Sequence, residues 1–313
     1  MAMALTAFAE LLSPTFQASQ IQFDVPMSTR TSLRLGGDAK LLASVQNEEQ
    51  IAFALALCKK HGISVFILGN GSNVLVKQGG IDGLVLHIGE AFSKISEPIT
   101  LEDGRVTITV QAGASLPKLS NQVARLGLEG LAFASGIPGT IGGALAMNAG
   151  AYGGEMKDVI LEVKAIDENG ESHTFKRDEM ELSYRSSRFS KEKLVIVNAT
   201  FAFAKGDANA IEAEMKSLSL KRREKQPLNV ASCGSTFKRP EGNFAAALIE
   251  QAGLKGFRVG GASVSEKHAG FLVNDDHATA DEYLTLVKKV QQIVHDKSGV
   301  WLEPEVHIIG ENS

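Results

Sequence analysis

The stretch Ala132 to Gly150, AFASGIPGTIGGALAMNAG, restricts the chain more than any other, with crowded glycines, a proline and no charged residue. Gly136, Gly139, Gly142, Gly143 and Gly150 are expected to let the main chain take φ > 0 and approach a ligand closely, because no Cβ stands in the way. Successive amide N–H groups in such a turn form an anion-binding nest, and a helix starting near Thr140 would add its positive end. No GK[ST] follows these glycines and no GxGxxG opens a helix after a strand, so neither standard nucleotide loop is present. The alternative is a tight turn that feeds a buried helix. A second stretch, LGNGSNVLV from Leu68 to Val76, follows the apolar run Ile63 to Leu68. It puts Asn70, Gly71, Ser72 and Asn73 where a strand gives way to a loop, the place where α/β proteins bind ligands.

The order of elements predicts a strand over Lys40 to Val45, an amphipathic helix over Glu48 to His61 ended by Gly62, and a buried strand over Ile63 to Leu68. Leu84 to Ile88 and the alternating RVTITVQ of Arg105 to Gln111 begin a second sheet, and Leu116 to Leu126 reads as a helix. Val159 to Ile166 and Ser172 to Lys176, joined by DENG, form a hairpin signal, and Lys193 to Phe203 is a further strand. Helical patterns cover Asp207 to Lys225, Asn243 to Ala252 and Thr279 to Lys297, the last opened by a Thr279/Glu282 capping box and closed before Gly299. Met1 to Leu12 lacks a basic start and is interrupted by Glu10, so it does not read as a signal peptide, and a loosely ordered terminus is expected over the first twenty residues.

A chain of 313 residues implies two or three domains. A net charge of −4 gives no general pull toward nucleic acid or anionic lipid, and no apolar run reaches the ~20 residues of a membrane span. Two cysteines, Cys58 and Cys233, cannot make a disulfide framework, and the histidines lack ligand spacing, so no metal site is expected. A cytoplasmic monomer acting on small molecules fits these features, with no nucleic-acid or membrane partner.

Several residues offer chemistry. Ser235 lies in the turn CGSTFK, where its hydroxyl is either a local turn-former or a group presented at a loop edge. Cys233 reads as a small buried residue, or as a nucleophile with His268 or His307 as base. Arg185 and Arg188 in SYRSSRF suit either a solvated turn or a carboxylate or enolate. Lys221, Arg222, Arg223 and Lys225 crowd a helix C-terminus, where cations complement the dipole or bind a diphosphate. Glu305, in WLEPEVHII, falls within an alternating strand pattern.

Taken together, TSLRLGGDA (Thr31 to Ala39), LGNGSNVLV, GIPGTIGGALAMNAGAYGGE (Gly136 to Glu155), YRSSRF (Tyr184 to Phe189), RREKQP (Arg222 to Pro227), CGSTFKRP (Cys233 to Pro240), LIEQAGLKGFRVGGASVSEKHAGFLVN (Leu248 to Asn274) and LEPEV (Leu302 to Val306) closely resemble the UDP-N-acetylenolpyruvoylglucosamine reductases of bacterial cell-wall synthesis. The resemblance runs in order from Arg30 to Gly310. It implies an α+β fold: a two-part FAD-binding region of the vanillyl-alcohol-oxidase (PCMH) type over residues 21–88 and 89–206, and a C-terminal α+β substrate-binding domain over 207–313. It also implies reduction of UDP-N-acetylglucosamine enolpyruvate, with non-covalent FAD as cofactor and NADPH as co-substrate. The family's site residues carry over as Arg185, Ser235 and Glu305 for catalysis. Gly69, Asn70, Gly71, Ser72, Asn73, Pro138, Gly139, Thr140, Gly142 and Gly143 carry over for FAD, and Arg222, Lys238 and His268 for the substrate. AYGGEMKDV runs straight into the strand at Val159, so the chain resembles the class without a longer tyrosine-bearing substrate loop.

Overall fold

The alternation of RVTITVQ becomes the strand Val106–Gln111, which turns Val106, Ile108 and Val110 into the core and leaves Thr109 exposed. It pairs antiparallel with Val195–Phe203, setting Ile108 opposite Phe201 and Thr109 opposite Thr200. On the outer face those two threonine hydroxyls meet at 3.0 Å, while the inner face buries aromatic against aliphatic side chains. The five-stranded sheet is completed by the hairpin Ile160–Ile166 and Ser172–Lys176 on one side and by Ile99–Thr100 on the other. The helices Leu116–Arg125 and Ile141–Ala146 contribute Leu116, Leu119, Val123, Ile141 and Leu145 to the same core.

The structure is a computed structural model that describes residues 3–312. The chain divides into two units, one of Met1–Phe23, Leu41–Asn70 and Gly83–Lys221, the other of Asp24–Lys40, Gly71–Asp82 and Arg222–Ser313. The first also holds the helix Glu48–His61. Asn47 caps its start by accepting the Gln50 N–H, and Gly62 ends it at φ 65. Because residues 62–64 are used in leaving that helix, the next strand is Val65–Leu68, two residues later than the apolar run begins, and it pairs in parallel with Ile81–His87. Those strands belong to a four-stranded sheet in the order Ile21–Pro26, Asp38–Ser44, Ile81–His87, Val65–Leu68.

The expectation of a loose N-terminus is corrected. Leu5–Leu12 is a helix that buries Phe8, Ala9 and Leu12 in the first unit's core, and Phe16 follows them. Residues spaced by three and four put these apolar side chains on one helical face, and their burial outweighs the freedom lost by a terminus. Met1 and Ala2 lie outside the described residues.

The second unit carries an antiparallel sheet in the order Ala231–Ser232, Leu272–Asn274, Ala262–Val264, Arg258–Val259, with the helices Ala245–Gln251 and Ala280–Ser298 sharing its core. A separate parallel pair joins Val74–Val76 to His307–Ile309. Glu305 therefore stands just before a strand and not within one, because Val306 bends between the isolated bridge at Pro304 and that pair. In the long helix Tyr283, Leu286, Val287, Val290 and Val294 face inward. Its capping box is reciprocal: Glu282 N–H donates to Thr279 Oγ1 at 3.2 Å and Thr279 N–H donates to Glu282 Oε2 at 2.9 Å. Thr279→Ala removes one of those bonds and is expected to cost about 1 kcal/mol, read as a lower urea midpoint with an unchanged slope.

Candidate active site

In the first unit, Thr140 caps the helix Ile141–Ala146 and its Oγ1 accepts the Gly143 N–H at 3.3 Å. Gly69, just after the strand Val65–Leu68, lies directly against it: a Cβ there would come within 2.5 Å of Thr140 Oγ1. A Cβ on Gly142 would stand 3.1 Å from that of Ala112. Two expectations change here. Gly142, Gly143 and Gly150 do not adopt the positive φ expected of them; close passage of chain segments accounts for glycine at Gly142 and Gly150, as it does at Gly69, while at Gly143 a Cβ would make only ordinary contact. The amides of Gly139, Ile141 and Gly142 do not form an open nest either. They donate to the carbonyls of Ile137, Ala114 and Ala112 at 2.9, 2.9 and 2.8 Å: the first bond closes a turn within the stretch, and the other two pin it along the segment that follows the strand Val106–Gln111.

Arg185 occupies a two-residue turn closed by Ser183 and Ser186, which exchange N–H···O bonds of 3.0 and 3.1 Å. Its φ is 54°, a left-handed conformation uncommon for a long side chain. Strain of this kind persists only where neighbours determine the geometry. Asn148, itself buried at φ 43°, supplies such a neighbour. Its Nδ2 donates to Ser183 O at 3.2 Å and to Glu155 Oε2 at 2.7 Å, while its Oδ1 accepts the Lys157 N–H at 3.0 Å. The Arg185 guanidinium lies 5.0 Å from the Tyr184 ring centroid and donates from Nη2 to Gly150 O at 3.4 Å. Lys157, then Asn148 and the positive field of Arg185, hold the Glu155 carboxyl below its usual range against some burial. Arg188 is used differently, paired with Glu192 at 2.9 Å and stacked on Phe175. The two arginines that the sequence leaves equivalent are thus distinguished: Arg188 braces the fold.

In the second unit, Ser235 follows Gly234, whose φ is 81° and whose Cα faces open space. Ser235 is half-buried, and its hydroxyl makes no hydrogen bond among the described residues. Thr236, the next residue, is fully buried, and its carbonyl accepts the Glu305 N–H at 2.7 Å. Asn73 Nδ2 donates to Glu305 O at 3.1 Å, and Asn73 O accepts the His307 N–H at 3.0 Å. Glu305 is therefore fixed on both sides of its peptide, next to the loop that presents Ser235. Asn73, expected beside a cofactor, uses its side-chain amide for this. At the same turn, Gly71 has φ 59°, and a Cβ would come within 2.2 Å of the Arg30 carbonyl. Cys233 is buried and burial pushes its thiol up to about 12, which removes it as a nucleophile at neutral pH.

Of the residues expected at the substrate, Lys238 lies 3.3 Å from Glu303 and its own N–H donates to the Glu303 carbonyl. Arg222 is half-buried in the last turn of the helix Ala208–Lys225. His268 Nδ1 accepts the Gly270 N–H at 3.1 Å, which leaves the proton of the neutral ring on Nε2. Burial, followed by the charges of Lys255 and Lys225, lowers its pKa. Asn148 and Thr236, which hold the Arg185 turn and the Ser235 loop, carry no mark in the sequence beyond their polarity among small or apolar neighbours. Elsewhere, Asp167, Glu171 and His173 bring ligand atoms within 4.8 Å of one another at the hairpin turn. Asp167 Oδ1 is already taken there by the N–H groups of Asn169 and Glu171.

The model of the FAD binding domain matches residues 39–176, and the model of the UDP-N-acetylenolpyruvoylglucosamine reductase C-terminal domain matches residues 226–309. The UDP-N-acetylenolpyruvoylglucosamine reductase of Clostridium botulinum (strain Eklund 17B / Type B) is 44% identical over 302 residues, covering 96% of this chain and 97% of that protein. The chain belongs to the UDP-N-acetylenolpyruvoylglucosamine reductase family. The enzyme of that name from Clostridium perfringens (strain SM101 / Type A) is 45% identical over 305 residues, 97% of this chain and 98% of its own. The crystal structure of the Thermus caldophilus reductase (MurB) superposes with a TM-score of 0.77 at 30% identity, over 92% of this chain and 97% of that one. The family membership and the α+β fold class expected from the motifs are the ones found.

The lowered pKa of His268 sets the sign of a pH effect. Below the ordinary histidine value of 6.5 the unfolded chain takes up a proton before the folded one, so stability falls with acidification until the lower folded pKa is passed. His268→Gln is expected to flatten that slope in urea titrations at stepwise lower pH. An unchanged slope would mean that other groups, His307 among them, carry it.

Proposed function

We propose that this protein uses NADPH to reduce UDP-N-acetylglucosamine enolpyruvate to UDP-N-acetylmuramate, through non-covalently held FAD. The observation that carries the reading is the presentation of Ser235 on a pinned loop beside the fixed peptide of Glu305, in a chain that is alike over nearly its whole length to reductases of that name. Three regions, 21–88, 89–206 and 207–313, divide the work, the first two for cofactor and the third for sugar nucleotide. A cytoplasmic monomer belongs to the same reading.

The glycine stretches fit FAD by close approach. Gly69 and Gly71 keep bare main chain because a Cβ would clash with Thr140 and with the Arg30 carbonyl, and Ser32 Oγ, buried without a hydrogen-bond partner among the described residues, lies on the residue whose N–H donates to Gly71 O. Asn70, Ser72, Asn73, Pro138, Gly139, Thr140, Gly142 and Gly143 complete that assignment, and the Asn73 side-chain amide also holds the Glu305 carbonyl. When bound, FAD would supply the hydride chemistry between NADPH and the methylene carbon of the enolpyruvyl ether.

Arg185 balances the negative charge that then spreads onto the substrate carboxylate as an enolate, with donors held in a fixed plane. Ser235 gives a proton to the adjacent carbon; position and the basicity of the enolate offset its weak acidity. Glu305 orients the same group, and Arg222, Lys238 and His268 contact the sugar nucleotide. A neutral His268 with its proton on Nε2 would donate one hydrogen bond there and add no charge.

The test separates the two half-reactions. Under anaerobic conditions NADPH should bleach the flavin absorbance, and the enolpyruvyl sugar should restore it. Ser235→Ala is expected to keep the bleaching and slow the recovery by about 10²- to 10⁴-fold. Arg185→Ala should slow the recovery by about 10²- to 10³-fold. Bleaching without recovery in the unaltered protein would reject the substrate, and a protein that cannot be reconstituted with FAD would reject the cofactor.

A further inference from the structure

Behind the Ser235 loop stands a buried phenol. Tyr283, in the first turn of the helix Ala280–Ser298, is fully buried. Its hydroxyl donates to the Leu272 carbonyl at 3.1 Å and lies 3.3 Å from Thr236 Oγ1 and 3.7 Å from Cys233 Sγ. Thr236 Oγ1 in turn accepts the Leu272 N–H at 3.1 Å. A phenol has one proton, and burial pushes the Tyr283 hydroxyl well above its ordinary range, so that proton stays on. Since it goes to the Leu272 carbonyl, the Tyr283 oxygen can only accept from the Thr236 hydroxyl and the Cys233 thiol.

The result is a closed ring. Leu272 N–H donates to Thr236 Oγ1, the Thr236 hydroxyl to Tyr283 Oη, and the Tyr283 hydroxyl back to Leu272 O. Bonds linked in this way polarise one another, and opening one leaves buried groups unpaired. The ring grips Cys233 and Thr236 and touches neither residue between them. Gly234 has open space around its Cα, and Ser235 Oγ is without a protein partner among the described residues. Thr236 is held along its main chain as well, donating its N–H to Gly270 O at 2.9 Å and accepting from Glu305 at 2.7 Å. A short loop with both ends fixed and its middle unengaged can hold a hydroxyl toward a ligand without satisfying it.

We propose that the Tyr283 hydroxyl is a positioning group for Ser235: by fixing Cys233 and Thr236 it holds the serine Oγ in one orientation toward the carbon it protonates. The inference rests on Ser235 being the proton donor. Its physical basis is that a misplacement of about 1 Å in a reacting group costs on the order of 10²-fold in rate. Tyr283→Phe keeps the packed ring of carbons and removes one oxygen, which opens the hydrogen-bonded circuit.

The experiment is a cycle of Tyr283→Phe, Ser235→Ala and the double variant in the FAD-loaded full chain, following both half-reactions anaerobically. Tyr283→Phe alone is expected to slow reoxidation by the enolpyruvyl sugar by about 10- to 10²-fold and to leave reduction by NADPH at its normal rate. In the Ser235→Ala background the same change should add no further loss, because its effect passes through the serine. A general loosening of the fold would multiply through both backgrounds and would also slow the NADPH step; that outcome overturns the inference. So does normal reoxidation in Tyr283→Phe while Ser235→Ala is impaired. If Ser235→Ala itself recovers at the normal rate, the assignment of the proton donor fails first and the inference with it. Should Tyr283→Phe give no soluble protein, Thr236→Val opens the same contact from its other end and is read in the same cycle by the same criteria.

Discussion

A single main-chain bond, from the Glu305 N–H to the Thr236 carbonyl at 2.7 Å, ties the loop that carries Ser235 to the segment leading into the strand His307–Ile309. It joins residues far apart in the chain, and such a contact forms only if the entropy of closing the long loop between them is offset elsewhere. The offset lies on both sides of the bond. The strand pair Val74–Val76 and His307–Ile309 anchors the segment that follows Glu305, and the helix Ala280–Ser298 anchors Thr236 through Tyr283. The loop carrying Ser235 is therefore a surface feature mounted on buried supports. Precision in a loop comes from what its ends are tied to, because its own backbone has no ladder to restrain it.

The first unit solves a similar problem with strain in place of a buried ring. Arg185 is held in a left-handed conformation that a β-branched or long side chain adopts only under constraint. Asn148 provides the constraint by tying the Ser183 carbonyl, the Glu155 carboxylate and the Lys157 amide to one side chain. A buried amide with both ends occupied is rigid for the same reason that it would be costly half-satisfied. The guanidinium is consequently aimed by the turn, by Tyr184 and by the Gly150 carbonyl. Arg188, three residues on, has a salt bridge to Glu192, and so its charge is already answered.

What could be read in the sequence was what local chemistry decides. The helix Glu48–His61 appears where Asn47 and Gly62 cap it, and Thr279 with Glu282 begins the long helix, since both signals act within one turn. The hairpin around DENG is legible for the same reason. Glycine was the point of ambiguity, because one letter serves two purposes: freedom at positive φ, used by Gly71, and the absence of a Cβ, used by Gly69 and Gly142. Only a partner segment distinguishes them, and the partner is distant in sequence. Around Glu305 the sequence alternates as a strand does, yet the alternation continues through a bend at Val306 that leaves the ladder unformed.

Tyr283 marks the limit of that reading. On a helical pattern it occupies an inward position shared with Leu286, Val287 and Val290, and nothing about its spacing separates it from an apolar neighbour. Its hydroxyl acquires meaning only once Leu272 and Thr236 are placed on either side, when one oxygen becomes both the donor to a carbonyl and the acceptor of a hydroxyl. A phenylalanine would fill nearly the same volume, so what the hydroxyl adds is the circuit and not packing. Here a buried polar group closes a ring at both ends of a short loop, and the ring accounts for the shape of the loop that carries the half-buried Ser235.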